Sequence, residues 1–362
     1  MTKITVVTDI PSPYQVDLLQ SVYGVLDFDI DVFFCRRRDE LRQWRTPQMK
    51  FPHCYFGDGQ SFPWQSKKPD LLVISGYASA VTQRMMWHAL SSRQPWAFWA
   101  ERPGAVRRTP VGRVARIALQ TPIRLARVPI WGIGAWAIEA YRDELPLQRL
   151  YLNVPYCSDL SHFLAIPRPE KSKARHPGAR FLFAGSLIAR KGVDKLAQAF
   201  VAFAQERKDA TLTLVGSGPL EAKLREILAP IGERAVFLGF RQIDELPEIF
   251  SSADILCAPS RYDGWGLIVP EGLAAGLPVI AGRQMGAAHE MITDETGWIV
   301  EPDDFFSLLS SLRSAGGQDW AARSAMIKAG RRVALDFDAS SGRRHFVDAV
   351  TASLAAYHAP ST

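Results

Sequence analysis

Apolar residues come along this chain in short runs separated by longer amphipathic stretches. Residues 4–8 form a β-branched run, and residues 13–25 then place apolar side chains on one face of a helix. Further runs at 29–34, 71–75 and 96–100 read as strands. Short runs of this kind suit strands buried on both faces of a parallel sheet. Strands alternating with helices predict an open α/β sheet.

The pattern breaks at LAIPRPEKSKARHPGA, which is rich in Pro, Lys and Arg and predicts an interdomain linker over 166–179. The alternation then restarts. RFLFA at 180–184 is a strand, and 192–208 a helix with Val193, Leu196, Ala197, Phe200, Val201 and Ala204 at helical spacing. Strands follow at 211–215, 235–238, 254–258, 278–281 and 297–300. The 362 residues therefore predict two Rossmann-like, doubly wound domains, 1–165 and 180–340, facing a central cleft, with a C-terminal helix over 341–362 returning to the first. Ligands of such sheets bind beyond the carboxyl ends of the strands.

Composition narrows this only a little. With 47% hydrophobic and 22% charged residues the chain has material for full cores. A net charge of +6 favours anionic partners: nucleotides, phosphates, acidic lipids or nucleic acid. Cys35, Cys54, Cys157 and Cys257 are far apart and form no C-x-x-C pair, which points to buried thiols in a reducing compartment. The N-terminus runs straight into a strand without a signal-peptide hydrophobic region, and no run of about 18 apolar residues spans a bilayer. A cytoplasmic protein is expected.

Four motifs follow strands. In GSLIARKG, 185–192, backbone N–H groups at a helix start together with Arg190 and Lys191 suit an anion such as a diphosphate; the plain alternative is a tight turn with two solvated cations. In LVGSGPLE, Gly216 and Gly218 allow close backbone approach or positive φ, but the spacing does not complete a dinucleotide fingerprint. In SRYDGWGLIVPEGLAAGLPVIA, Asp263 and Glu271 stand eight positions apart around a loop made pliable by Gly264 and Gly266. Pro270 at the first helical position would set Glu271 in the first turn, where it could accept two ribose hydroxyls; alternatively it only complements the helix dipole. MGAAHEMI lacks the second His of a zinc-protease motif, and His289 there reads as structural.

Together these motifs resemble family 4 of the glycosyltransferases, which have the GT-B fold, over about residues 180–304. The resemblance rests on Gly185 with Arg190, Lys191 and Gly192, on Gly216, Gly218 and Pro219, on Phe237-Leu238-Gly239, and on the two carboxylates. It implies that Asp263 contacts the donor sugar, Glu271 the nucleotide ribose and Lys191 the diphosphate. Gly185, Ser186, Arg190, Gly216 and Gly218 would also face the donor, the backbone after Leu238 and Gly239 the base, and the backbone of Gly264, Trp265, Gly266 and Leu267 the diphosphate. The family's first carboxylate is a glutamate, and an arginine often stands where this chain has Ser186; Arg190 is expected to restore that charge. The first half resembles the family less sharply. Pro13, Tyr14 and Gln15 lie in a loop like the one lining the acceptor side, with Tyr77 ending another strand, and Glu101 stands where many relatives have a histidine near the transferred sugar. Glu101 reads either as a sugar or acceptor contact or as a salt bridge with an arginine.

The resemblance implies a retaining transferase with no metal or other cofactor, moving a hexose-type sugar from a nucleotide diphosphate to a glycan or lipid-linked glycan, as in polysaccharide or lipopolysaccharide assembly. Lys191, Arg190 and backbone donors would meet the leaving charge. An epimerase or phosphorylase of the same fold, or a silent nucleotide-sugar or glycan-binding protein, remain alternatives. From Arg102 to Ile138 there are seven arginines and no acid. Arg113, Arg116, Arg124 and Arg127 project into one sector opposite Val111, Val114, Ala118 and Leu125, with a break expected at Pro122. Such a face suits an anionic membrane surface or is an ordinary solvated face; nucleic acid has no supporting motif.

Overall fold

The computed structural model describes residues 1–24, 28–39, 43–56, 68–103, 110–145, 148–168 and 179–359. It divides into two compact units, Met1–Asp159 with Phe337–Thr362, and Leu160–Asp336.

The first unit is a seven-stranded sheet. Its strands are β1 (Thr2–Thr8), β2 (Phe28–Phe34), β3 (His53–Tyr55), β4 (Leu71–Ser75), β5 (Trp96–Ala100), β6 (Ile130–Gly132) and β7 (Tyr151–Asn153). They run parallel in the order β3-β2-β1-β4-β5-β6-β7. Its helices are α1 (Pro13–Val22), α2 (Ala80–Ser91), α3 (Pro110–Leu119), α4 (Thr121–Leu125) and α5 (Ala135–Glu144). β1 ends in five buried residues and β5 is buried throughout, as expected of strands covered on both faces. The helix expected over 13–25 ends at Val22, and residue 25 lies outside the described residues. β3, β6 and β7 are three residues each, too short to stand out as apolar runs.

The second unit opens with α6 (Ser161–Leu164), followed by β8 (Arg180–Ala184), α7 (Val193–Glu206), β9 (Thr211–Val215), α8 (Glu221–Leu228), β10 (Ala235–Gly239) and α9 (Leu246–Ser251). Then come β11 (Ile255–Ala258), α10 (Ile268–Ala274), β12 (Val279–Gly282), α11 (Gly286–Met291) and β13 (Gly297–Val300). α12 (Phe305–Gly317) and α13 (Trp320–Leu335) close it. Its six parallel strands are ordered β10-β9-β8-β11-β12-β13. In both units the order reverses beside the first strand, the doubly wound arrangement whose crevice at the reversal takes ligands. α7 buries Val193, Leu196, Ala197, Phe200 and Phe203 against Phe181 and Leu212 of the core.

Residues 160–168 belong to the second unit, so the boundary falls at Asp159 rather than 165. Arg168 explains it: its guanidinium donates to the carbonyls of Ala275 (2.7 Å), Ala253 (2.9 Å) and Phe250 (2.9 Å), while Phe163 packs against Phe250. Of the expected linker, 169–178 lie outside the described residues. The last helix, α14 (Ala339–His358), packs within the first unit. Trp131 donates to Ser353 at 3.0 Å, Phe346 sits edge-on to Trp99 and Trp131, and Tyr357 donates to the carbonyl of Trp96 at 2.7 Å. Asp304, Asp319 and Asp338 cap the starts of α12, α13 and α14 by accepting backbone N–H groups. Each such cap stabilises its helix by ~1 kcal/mol.

Candidate functional site

In the second unit the loops leaving β8 and β11 meet at the reversal. Arg190 and Lys191 stand on a single 3-10 turn, Ala189–Lys191, ahead of α7, and Gly192 joins turn to helix at φ 71°. A Cβ on Gly192 would lie 1.9 Å from the carbonyl oxygen of Pro259, so only glycine brings this turn against the β11 loop. Lys191 Nζ donates to Asp263 Oδ2 at 2.5 Å. Arg190 Nη1 donates to the carbonyl of Tyr262 at 2.9 Å and stands 3.7 Å from Asp263 Oδ1. Asp263 is held by its own backbone, whose N–H donates to Gln284 and whose carbonyl accepts from Gly286.

Glu271 stands behind this pair. α10 begins at Ile268, so Pro270 is its third residue and not its first, and Glu271 comes fourth. The helix is buried from Val269 to Ala274, and Glu271 is 9% exposed. Burial pushes its carboxyl up to about 8, with Lys191 pulling the other way. Trp265 is 1% exposed, which leaves only its backbone to face a ligand.

The glycines of the neighbouring loops serve backbone-to-backbone contact. Gly216 has φ 128°, and a Cβ there would lie 2.0 Å from the carbonyl of Gly185; at Gly218 it would lie 2.5 Å from that of Leu187. Leu187 donates to Ser217, Leu220 to Leu187, and Gly216 to Gly239. The loops carrying Gly185 with Ser186, Gly216 with Gly218, and Leu238 with Gly239 are thus laced into one floor. Gly266, at φ 97°, abuts Met285 and Asp263.

Arg261 is the residue the sequence reading missed. Its backbone N–H donates to Arg190, its side chain to the carbonyl of Ala189, to both oxygens of Asp194 (2.7 and 3.0 Å) and to Asp303 (2.7 Å). It locks the cationic turn to the start of α7. The available signal was its place two residues before Asp263. Among the described residues no cluster of His, Cys, Asp or Glu is arranged to hold a metal ion.

In the first unit a cavity of about 570 Å3 opens at the corresponding reversal, beyond β1, β4 and β5. Tyr14, Gln15, Tyr77 and Glu101 line it; Pro13, the first residue of α1, does not. Tyr156, also unforeseen, lines the cavity with its ring 4.6 Å from that of Tyr14 and inclined to it, and it packs edge-on against Trp99.

The arginine sector is split. Arg116 pairs with Glu144 at 3.0 Å and Arg124 donates to Gln120, whereas Arg113 and Arg127 are exposed. The break between helices comes at Gln120, with Pro122 second in α4. The apolar side is turned outward: Val111 is 80% exposed, Val114 68% and Leu125 63%. No helix of the described residues is long and apolar enough to cross a membrane.

Residues 178–314 match the glycosyl transferases group 1 family. A GDP-mannose-dependent monoacylated alpha-(1-6)-phosphatidylinositol monomannoside mannosyltransferase of Corynebacterium glutamicum is 36% identical over 152 residues, 40% of this chain and 39% of that protein. The lipopolysaccharide core biosynthesis mannosyltransferase LpsB of Rhizobium meliloti is 29% identical over 153 residues, 39% of this chain and 43% of that protein. The chain spans about two fifths of the length of these curated relatives. Among solved structures, sucrose-phosphate synthase from Thermosynechococcus elongatus superimposes with TM-score 0.73 at 18% identity, covering 98% of this chain and 100% of that one. Anabaena Alr3699/HepE in complex with UDP and glucose gives 0.72 at 15%, covering 97% and 100%. The fold is that of these GT-B structures.

Proposed function

We propose that this chain, whose residues 178–314 belong to the glycosyl transferases group 1 family, transfers a hexose-type sugar from a nucleotide diphosphate donor to a glycan or lipid-linked glycan. The observation that carries the reading is the grouping of Lys191, Arg190, Asp263 and buried Glu271 at the strand reversal of the second unit. The donor's diphosphate competes with Asp263 for Lys191. Its ribose hydroxyls donate to ionised Glu271, and Asp263, released from Lys191, accepts from the sugar. Fixed cations and backbone donors then meet the charge that develops on the leaving group, the preorganised stabilisation that dominates many such reactions.

The reaction is a front-face displacement with retention. The bond from the anomeric carbon to the diphosphate breaks, the acceptor hydroxyl bonds to the same face, and its proton passes to the departing phosphate oxygen. No metal takes part. The acceptor side is the first unit's cavity, with Glu101, Tyr14, Gln15 and Tyr77. The enzyme works in the cytoplasm, peripheral on a membrane; the outward stripe of Val111, Val114 and Leu125 with Arg113 and Arg127 supports this. The relatives that build mannosylated lipids and lipopolysaccharide core support a role in assembling such glycans.

The test is calorimetric titration with UDP, GDP, ADP, CMP and dTDP, with and without EDTA, repeated on Glu271→Ala. One diphosphate should bind selectively, insensitively to EDTA, and weakly to the variant. Its sugar nucleotide should then yield a glycoside, not an epimer or a sugar phosphate. Binding of none, or equal binding by the variant, would remove the assignment.

A further inference from the structure

The first unit carries two adjoining cavities of opposite character. The larger sets three carboxylates, Asp9, Asp39 and Glu101, against two guanidiniums. Both guanidiniums are engaged. Arg36 donates from Nε and Nη2 to the two carboxylate oxygens of Asp9, at 3.0 and 2.5 Å, and Arg102 lies 3.5 Å over the Trp136 ring at 9% exposure. Carboxylates accept hydrogen bonds from sugar hydroxyls and repel phosphate. Tyr14, Tyr77 and Trp44 also line it, and aromatic rings suit the C–H side of a pyranose.

The smaller cavity, about 440 Å3, shares Ile10, Asp39 and Trp44 with the larger. Its cations are Arg37 and Arg38, both exposed, with Arg37 steadied 4.4 Å over the Tyr55 ring. Guanidinium forks of this kind take phosphate or carboxylate in bidentate fashion. A ligand two sugar residues long would pass Ile10, Asp39 and Trp44, the residues the two cavities have in common, to reach both.

We infer that the ligand of the first unit is an anionic glycan bound in a fixed sense: an uncharged sugar in the larger cavity, and a phosphate or carboxylate on the next residue in the smaller. This names the acceptor class of the proposed transferase and rests on that reading only in calling the first unit the acceptor side. The reacting hydroxyl belongs to the uncharged sugar, and the charge sets its orientation.

The experiment measures binding of methyl dihexosides in glucose, galactose and mannose forms, each neutral, phosphorylated on the second residue, or carrying a uronate there. At low salt one or both anionic forms should bind about tenfold more tightly than the neutral form. The preference should fall with added salt and vanish in the Arg37→Gln/Arg38→Gln double variant, which keeps its affinity for the neutral form and its unfolding temperature. Whichever of phosphate and uronate binds more tightly names the group. Asp39→Asn with Glu101→Gln should weaken all three. Equal binding of neutral and charged forms, a preference that survives the double variant, or binding of none overturns the inference. Nucleotide diphosphate binding through Glu271 is read separately. If it persists while the preference is missing, this inference alone fails; if it is missing while the preference stands, the transferase reading fails.

Discussion

In the second unit the loops beside the crevice between β8 and β11 lie backbone on backbone; in the first, the crevice between β1 and β4 opens into a cavity of about 570 Å3. Strand direction and the reversal of order are the same in both. What differs is the material of the loops. Gly192, Gly216 and Gly218 let backbone lie on backbone in the second unit, so that Lys191 and Asp263 meet at 2.5 Å over a rigid floor. Beyond β1, β4 and β5, Tyr14 at the start of α1 and Tyr77, Glu101 and Arg102 in the loops line the cavity with large side chains. A fold of this kind fixes where a ligand goes, and the side-chain volume of the loops decides what kind. On the proposed reading, a compact polyanion would be met by charges set in place, and a hydroxyl-rich ligand by the open cavity.

The largest effect that would test this contrast lies in the framework of the packed unit. Asp254, 4% exposed, accepts from the Nε and Nη2 of Arg180 at 3.0 and 3.1 Å. Asp254→Ala removes the acceptor of three hydrogen bonds, from the backbone N–H and the half-buried guanidinium of Arg180, and should cost about 3 kcal/mol in denaturant unfolding at about 1 kcal/mol each. A loss below 1 kcal/mol would mean the unit is not held as tightly as described. Next, Lys191→Ala should lower kcat by ~10²–10³-fold with an unchanged unfolding temperature, the scale of losing one preorganised charge donor. Wild-type turnover would take Lys191 out of the site. Gly192→Ala should cost about 1–3 kcal/mol for the φ of 71° alone, and it should raise the donor KM because the turn is displaced. Gly76 on the open cavity has a similar φ of 77° but nothing within 4 Å of a Cβ placed there, so Gly76→Ala meets the backbone cost without displacing a neighbour.

Glu271 supplies a pH test. Burial lifts its carboxyl to about 8, so the fold prefers the neutral form. Its contribution to stability is full below the usual carboxylate range, near pH 4.5, and is lost as pH rises towards 8. Donor binding that needs the carboxylate runs the other way, tightening up to about pH 8 and releasing a proton. Calorimetry in buffers of different ionisation enthalpy should detect that proton, and Glu271→Gln should abolish it. Equal proton release by wild type and variant would show that Glu271 does not face the ligand. The smallest effect concerns the membrane. Val114→Asp should weaken binding to anionic liposomes more than Arg116→Gln, since Arg116 is occupied by Glu144. The reverse order would return the interaction to the arginine sector.

The second sheet and four of the seven strands of the first were legible because buried strands come as short apolar runs, whereas β3, β6 and β7 are too short to do so; the helix ending at Glu206 was legible because its buried positions recur at helical spacing. The sequence alone also set the glycine-rich loops at strand ends and the order of Lys191, Asp263 and Glu271. Other features only the tertiary structure decided. Arg261 is one exposed-type residue among many until folding places it beside Ala189, Asp194 and Asp303. Arg168 marks a boundary only because three carbonyls converge on it. The arginine sector looked like one outward face because periodicity ranks positions around a helix but does not say which side meets the protein. Glu144 and Gln120, outside that count, turned Arg116 and Arg124 inward and left Val111 and Val114 facing out. Periodicity and loop chemistry are local and survive in the sequence; which side of a helix is covered, and which charges meet, depends on partners far along the chain that only folding brings close.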